Sequence, residues 1–289
     1  MSEAVSRREA FRRGVMQLRR AGIPNPALDA SVLLGHVTGQ AAAPALVEGE
    51  RPLEGPEEAR YAELIARRGR REALSRLVGS REFYSRPFLV TPDVLDPRPE
   101  TETLVEKALE FLRKDTGLTR ILDVGTGSGV IAVTLAAEAP EARVTATDVC
   151  PRALWVARAN AVTHGVEGRI RLVCMDLASA FRDVPSYDLI VANPPYIAEH
   201  EFRDLPEEVR QGDPRAALIA GPAGLEFYPA LAALAGRLLR PGGALMVEVG
   251  AGQGRDVAGI FGRSGFERVG ITADLAGTDR VVHGWRIHA

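Results

Sequence analysis

The chain reads as an α/β protein in which a small helical bundle precedes a mostly parallel sheet of about seven strands. Three observations predict this. From Arg120 onward, apolar runs of strand length alternate with amphipathic stretches of helix length. The first of those runs leads directly into a glycine-rich turn, Gly125-Thr126-Gly127-Ser128-Gly129. Before about residue 75, apolar residues recur at helical spacing, broken only by Pro and Gly clusters.

In the first stretch the helical positions are Phe11, Val15 and Leu18, then Leu28, Val32 and Leu33, then Tyr61, Leu64 and Ile65. The breaks are Gly22-Ile23-Pro24-Asn25-Pro26 and Arg51-Pro52-Leu53-Glu54-Gly55-Pro56, where one helix stops and another starts. Between Gly79 and Pro99 the aromatic and aliphatic residues Phe83, Tyr84, Phe88, Leu89 and Val90 predict a hairpin-like linker, interrupted by four prolines. Thr101 is an expected N-cap for a helix carrying apolar residues at 104, 105, 108, 109 and 112, with Gly117 closing it.

The alternation then runs as strand Ile121 to Val124, a helix to Ala139, strand Arg143 to Thr147, a helix to His164, and strands Ile170 to Val173 and Tyr187 to Ala192. A helix near Leu225 to Leu239, strand Ala244 to Val249, a helix near Arg255 to Arg263, and strands Glu267 to Ile271 and Arg280 to Ile287 complete the pattern. The boundaries are 1–78 for the helical domain, 79–98 for the linker and 99–289 for the sheet domain.

Composition narrows the function classes. The 289 residues are 46% hydrophobic, enough for a sizeable core and for two domains. No apolar run approaches the roughly 18 to 20 residues that cross a bilayer, and Met1-Ser2-Glu3-Ala4 has no apolar signal core, so a cytoplasmic protein is expected. Cys150 and Cys174 are too far apart for a Cys-x-x-Cys motif, and the five histidines form no His-x-x-x-His pair, so no metal site is expected. The net charge of -2 excludes a strongly basic nucleic-acid-binding chain. Residues up to Val90 carry 15 Arg against 11 acidic residues, a mild local excess that reads as a solvated face.

The glycine turn lies where a strand becomes a helix, at the carboxyl edge of the sheet, where open α/β folds bind ligands. Glycine permits positive φ and close backbone approach, and the helix N-terminus offers amide groups to an anion, so a nucleotide-like cofactor is implied. Its spacing departs from the dinucleotide fingerprint because Val130 stands where Gly or Ala is required. Asp148, ending the next strand, can accept both hydroxyls of a ribose, or it can serve as an N-cap ahead of Pro151. Asp176 and Leu177 follow the third strand, where a carboxylate can accept from an adenine amino group and an aliphatic chain can pack on the ring.

Asn193-Pro194-Pro195-Tyr196 follows the apolar run Leu189-Ile190-Val191-Ala192 at the same edge. An amide or aromatic amine is a poor nucleophile because its lone pair is delocalised. Acceptance of both N-H hydrogens by the Asn193 side-chain oxygen and the Pro194 carbonyl would orient that lone pair and favour the tetrahedral nitrogen as positive charge develops. The prolines stiffen the acceptor pair, and the Tyr196 ring can stack on a planar, increasingly cationic substrate.

These residues resemble the HemK-type (PrmC) release-factor glutamine methyltransferases, and the likeness spans nearly the whole chain. It includes Asp96-Pro97-Arg98-Pro99-Glu100-Thr101-Glu102, Asp213-Pro214-Arg215-Ala216-Ala217-Leu218 and Asp274-Leu275-Ala276-Gly277-Thr278-Asp279-Arg280. Asp96 departs from the family pattern, which has an aliphatic residue there, and Gly221-Pro222-Ala223-Gly224 departs from a Gly-Gly-x-x-Gly run. The resemblance implies a class I, Rossmann-like fold and S-adenosylmethionine as methyl donor, held by Gly125, Thr126, Gly127, Ser128, Gly129, Asp148, Asp176, Leu177 and Asn193. It implies that Asn193, Pro194, Pro195 and Tyr196 hold the glutamine of a Gly-Gly-Gln loop, with Asn193, Pro194 and Tyr196 as the catalytic groups. The expected partners are peptide chain release factors, met by a monomer through its helical domain, with no direct nucleic acid and no membrane. The alternatives are a ribosomal-protein glutamine methyltransferase, a nucleic-acid adenine-N6 methyltransferase, which would need base flipping and a stronger basic track, and a non-catalytic Rossmann-like binding module.

Overall fold

The structure, a computed structural model, describes residues 5–40, 48–113, 119–177, 184–287. Two compact units emerge. One comprises Met1–Ser80 together with Pro206–Gly212, and the other comprises Arg81–Leu205 and Asp213–Ala289.

In the first unit, helices α1 (Arg7–Arg20), α2 (Pro26–Thr38), α3 (Gly55–Gly69) and α4 (Leu74–Val78) enclose a core of Leu18, Leu33, Leu34, Leu64 and Ile65. Local chemistry sets their ends. Ser6 caps α1 by accepting from the Glu9 backbone N–H, and Pro26 opens α2, whose missing N–H costs nothing at the first turn. Leu28, read from periodicity as an inward position, is 60% exposed. The buried stripe of α2 runs instead through Ala30, Leu33 and Leu34, one face of a 3.6-residue turn. A short helix from the distant chain, α8 (Glu207–Gly212), belongs to this unit. Arg68 accounts for it, pairing with Asp29 at 2.6 Å and with Glu208 at 2.9 Å.

The second unit begins with a hairpin, β1 (Ser80–Phe83) and β2 (Arg86–Leu89), turned by Tyr84 and Ser85, both at positive φ. Helix α5 (Glu102–Leu112) follows a 3-10 turn at Pro99–Thr101. Thr101 occupies the N-cap position without a side-chain capping bond, and Gly117 lies outside the described residues.

The sheet strands are β3 (Thr119–Val124), β4 (Ala142–Asp148), β5 (Ile170–Cys174), β6 (Tyr187–Ala192), β9 (Leu239–Glu248), β10 (Glu267–Ala273) and β11 (Asp279–Trp285). Their order is β10-β11-β9-β6-β3-β4-β5. Only β11 runs against its neighbours, so the sheet is mostly parallel, as the βαβ alternation predicts. Helices α5, α6 (Val130–Glu138) and α7 (Pro151–Thr163) cover one face, and α10 (Phe227–Leu238) and α11 (Gly254–Arg263) the other. Burial on both faces explains why Ile121, Leu122, Leu189, Ile190 and Val191 form continuous apolar runs rather than alternating ones.

Chain order reverses between β3 and β6. The chain leaves β3 toward β4 and β5, then returns to place β6 on the other side of β3. That switch opens a crevice at the carboxyl ends of both strands, where the glycine turn and Asn193 begin. Sequence periodicity gave no sign of the short parallel pair β7 (Ile197–Ala198) and β8 (Ile219–Gly221), nor of α9 (Arg215–Leu218), all of which are too short to show a period.

Candidate active site

A cavity of about 260 Å³ occupies the crevice. Gly125, Thr126, Gly127, Ser128, Asp148, Asp176, Leu177, Asn193, Pro194 and Pro195 line it, so residues from the carboxyl ends of four strands meet there. A more open groove of about 390 Å³ lies at the opposite, amino edge of the sheet, among Arg120, Arg143, Arg169 and Arg171. It contains none of the residues singled out from the sequence.

The glycine turn is built from below. Asp123, fully buried at the end of β3, accepts from the Thr126 hydroxyl at 2.6 Å, and the amides of Gly125 and Thr126 donate to the Thr147 carbonyl at 2.9 and 2.8 Å. These bonds bend the chain back over the strand ends. Gly125 and Gly127 have φ of 75° and 54°, and a Cβ at either would meet only open space. Glycine is therefore required there by conformation, and the space before it is free for a ligand. Gly129 differs. It does not line the cavity, and a Cβ on it would press on Ala157 of α7, so it lets α6 and α7 approach.

Asp148 serves two purposes. Its Oδ2 accepts from the Gly127 amide at 2.9 Å and its Oδ1 from the Cys150 amide at 2.8 Å, so it joins the glycine turn to the start of α7 while facing the cavity. Each oxygen keeps a second lone pair for a ligand hydroxyl. Desolvation pushes the Asp123 carboxyl up to about 7, against the pull of the Thr126 hydroxyl and the Ala132 amide, and the nearby Asp148 charge adds to the rise.

Around Asn193 the polar groups are fixed more tightly. Asn193 Nδ2 donates to the Thr101 hydroxyl at 3.2 Å. Its Oδ1 is buried and has no donor among the described residues. A buried acceptor without a donor is costly, and a substrate N–H would satisfy it. Tyr196 stands apart from this cavity. Its ring packs with the core beneath α10, burial pushes its phenol up to about 12, and its backbone carbonyl accepts from Gln253 Nε2 at 2.9 Å. Gln253 also donates to the Gly224 carbonyl and accepts from the Gly250 amide, so it anchors the loop that carries Tyr196.

Several contributors were not identified from the sequence. Thr101 looked like a simple cap, yet its side chain reaches Asn193. Asp213, nearly buried, accepts from the Asp96 amide at 3.0 Å and from Arg98 at 2.5 Å, tying the segment before α5 to the one that follows α8. Glu248 is wholly buried at the end of β9, with its carboxyl pushed up to about 7 by desolvation. An acidic residue closing the apolar run Leu245-Met246-Val247 was the one signal available for it.

The fold and this site define an S-adenosylmethionine-dependent class I methyltransferase. The open space over the glycine turn, the carboxylate of Asp148 and the apolar wall at Leu177 fit the cofactor's amino acid, ribose and base. Residues 9–79 match the PrmC N-terminal domain and residues 101–209 the methyltransferase small domain. The release factor glutamine methyltransferase of Cereibacter sphaeroides is 45% identical over 95% of this chain and 96% of its own. That of Nitratidesulfovibrio vulgaris is 41% identical over 96% and 94%. A solved S-adenosylmethionine-dependent methyltransferase from Agrobacterium tumefaciens shares the fold at 16% identity, with a TM-score of 0.51 over 72% of this chain and 70% of that one. The chain belongs to the release factor glutamine methyltransferase family.

Proposed function

We propose that this enzyme methylates the side-chain amide nitrogen of the glutamine in the Gly-Gly-Gln motif of peptide chain release factors. The observation that carries this reading is the Asn193 amide, anchored through Nδ2 and presenting a buried, unsatisfied Oδ1 beside Pro194 and the glycine turn. Bound S-adenosylmethionine supplies an electrophilic methyl group on a sulfonium.

The protein's own groups do the rest. Gly125, Thr126, Gly127 and Ser128 offer backbone amides and open space to the cofactor, Asp148 takes its ribose hydroxyls, and Asp176 and Leu177 meet its base. Gly129 contributes by shaping the turn. Asn193 Oδ1 and the Pro194 carbonyl would each accept one N–H of the glutamine amide, which favours a tetrahedral nitrogen and aims its lone pair. Transfer would exchange the sulfonium S–CH3 bond for N–CH3, leave the thioether, and release one N–H proton from the nitrogen. Those acceptors strengthen as the nitrogen becomes cationic, so they favour the transition state over the bound ground state. Pro195 holds them rigid. Tyr196 keeps the loop in place through its packing, and a stacking role for its ring would require the ring to turn toward the cavity.

One chain holds every group assigned here, so a monomer suffices. We place the reaction in the cytoplasm, with its substrate; among the described residues no helix is long and apolar enough to cross a membrane. Mass spectrometry of the Gly-Gly-Gln tryptic peptide from a deletion strain, with and without this protein, tests substrate and chemistry together. Methylation restored by the protein is the expected outcome. An unmodified peptide accompanied by methylated adenine or ribosomal protein would overturn the reading.

A further inference from the structure

Glu248 is buried where a charge is costly, and neither of its oxygens has a hydrogen bond of normal geometry among the described residues. Its position follows from strand register. On the parallel pair β6 and β9, Val191 sits opposite Met246 and Ala192 opposite Val247, which sets Asn193 beside Glu248 at the strand ends. Side chains alternate along a strand, so Glu248 shares the face of Met246, the face packed by Leu104 and Val105 of α5. The turn entering α5 supplies Thr101, 2% exposed.

Thr101 Oγ1 already accepts from Asn193 Nδ2, so its own proton needs an acceptor. Thr101 and Asn193 are the two hydrogen-bonding side chains that lower the pKa of the Glu248 carboxyl. We propose that Glu248 is a positioning residue which, through the Thr101 hydroxyl and beside the Asn193 amide group, holds Asn193 with Nδ2 inward and Oδ1 turned to the substrate nitrogen. The inference rests on the acceptor role given above to Asn193. The two ends of an asparagine amide are nearly equal in size, so only a neighbour that accepts and cannot donate can choose between them. A carboxylate is such a neighbour, whereas a protonated carboxyl or a glutamine is not.

The charged groups facing Glu248 are Arg280 on β11 and Glu100 in the turn before α5, with the phenols of Tyr196 and Tyr228 nearby. With burial holding the carboxyl up to about 7, deprotonation near neutral pH switches the amide into its productive orientation.

The experiment compares E248Q, T101V, T101S and N193A in single-turnover methyl transfer to a Gly-Gly-Gln peptide, alongside calorimetric titration with S-adenosylmethionine. E248Q and T101V should lose about tenfold or more in rate while cofactor affinity stays within about twofold, and T101S should recover most of the loss. The wild-type rate should rise through pH 7, and E248Q should lack that limb. If E248Q fails to fold, the contrast of T101V with T101S decides. N193A slow with E248Q and T101V at wild-type rate, or T101S as impaired as T101V, would overturn the positioning role alone. N193A at wild-type rate would overturn the acceptor reading beneath it.

Discussion

The helical unit pairs its buried charges with opposite charges, whereas the carboxyl edge of the sheet leaves buried acceptors without donors among the described residues. In the bundle, buried Arg68 meets two carboxylates, Asp29 and Glu208, and buried Arg7 meets Glu48 and Gln40. At the sheet edge, Asn193 Oδ1, Asp123 Oδ1 and both Glu248 oxygens are buried with no hydrogen bond of normal geometry among the described residues. Paired ions fix a fold. Of these residues only Asn193 lines the cavity, and its unpaired acceptor raises the energy of the unliganded state until a substrate N–H arrives. The contrast places paired ions in one unit and the unsatisfied acceptor of the candidate site in the other.

The largest expected effect lies in the bundle. Arg68→Met leaves Asp29 and Glu208 without their partner and should cost about 3–5 kcal/mol in denaturant unfolding of the helical unit, with cofactor affinity unchanged. A parallel loss of cofactor binding would break the division of labour. At the sheet edge the effect is kinetic. Asn193→Ala should lower kcat by roughly 10² or more yet leave the cofactor Kd within about tenfold, because the interaction it removes grows in the transition state. Equal losses in both would make Asn193 a binding group only.

Asp148→Ala should weaken S-adenosylmethionine by roughly 1.5 to 3 kcal/mol, read by calorimetry, since it removes a charged acceptor. Part of that loss belongs to the glycine turn, because Asp148 also holds the Gly127 amide. Deleting residues 1–78 should leave cofactor binding intact and lower kcat/KM on a whole release factor about tenfold or more, with a smaller loss on a Gly-Gly-Gln peptide, because a single glutamine offers little surface for recognition. A matching loss on peptide and factor would remove the docking role from the bundle. It would point instead to the segment Pro206–Gly212, which the deletion strips of its bundle.

The smallest effect is on pH dependence. Asp123 and Glu248 are raised to about 7, so the stability they contribute is full below the ordinary carboxylate range and is lost as pH rises through about 7. His283, lowered to about 4 by burial, acts in the opposite sense, its contribution present above about 6.5 and lost as pH falls through 4. Between pH 8 and pH 5 the two carboxyls should therefore raise Tm by a few degrees on acidification, and Asp123→Asn should flatten the slope. An identical slope in the variant would place the titration elsewhere.

Whatever depends on near neighbours was legible in the order of the amino acids alone. The seven strands were legible because strands buried on both faces must be apolar throughout, and α11 because its apolar residues recur at 3.6, whereas α6 is buried all round from Val130 to Ala136 and shows no such stripe. The glycine turn and Asn193 were legible because each directly follows a strand, and the carboxyl ends of parallel strands lie at one edge of the sheet. Tertiary structure decided what depends on distant partners. Periodicity says nothing of Thr101 meeting Asn193 across 92 positions, of Glu208 joining Arg68 in the bundle, or of Tyr196 turning into the core while Gly129 faces α7. Those contacts are set by strand order and by helix packing over the sheet, which place residues together only after the whole chain has folded.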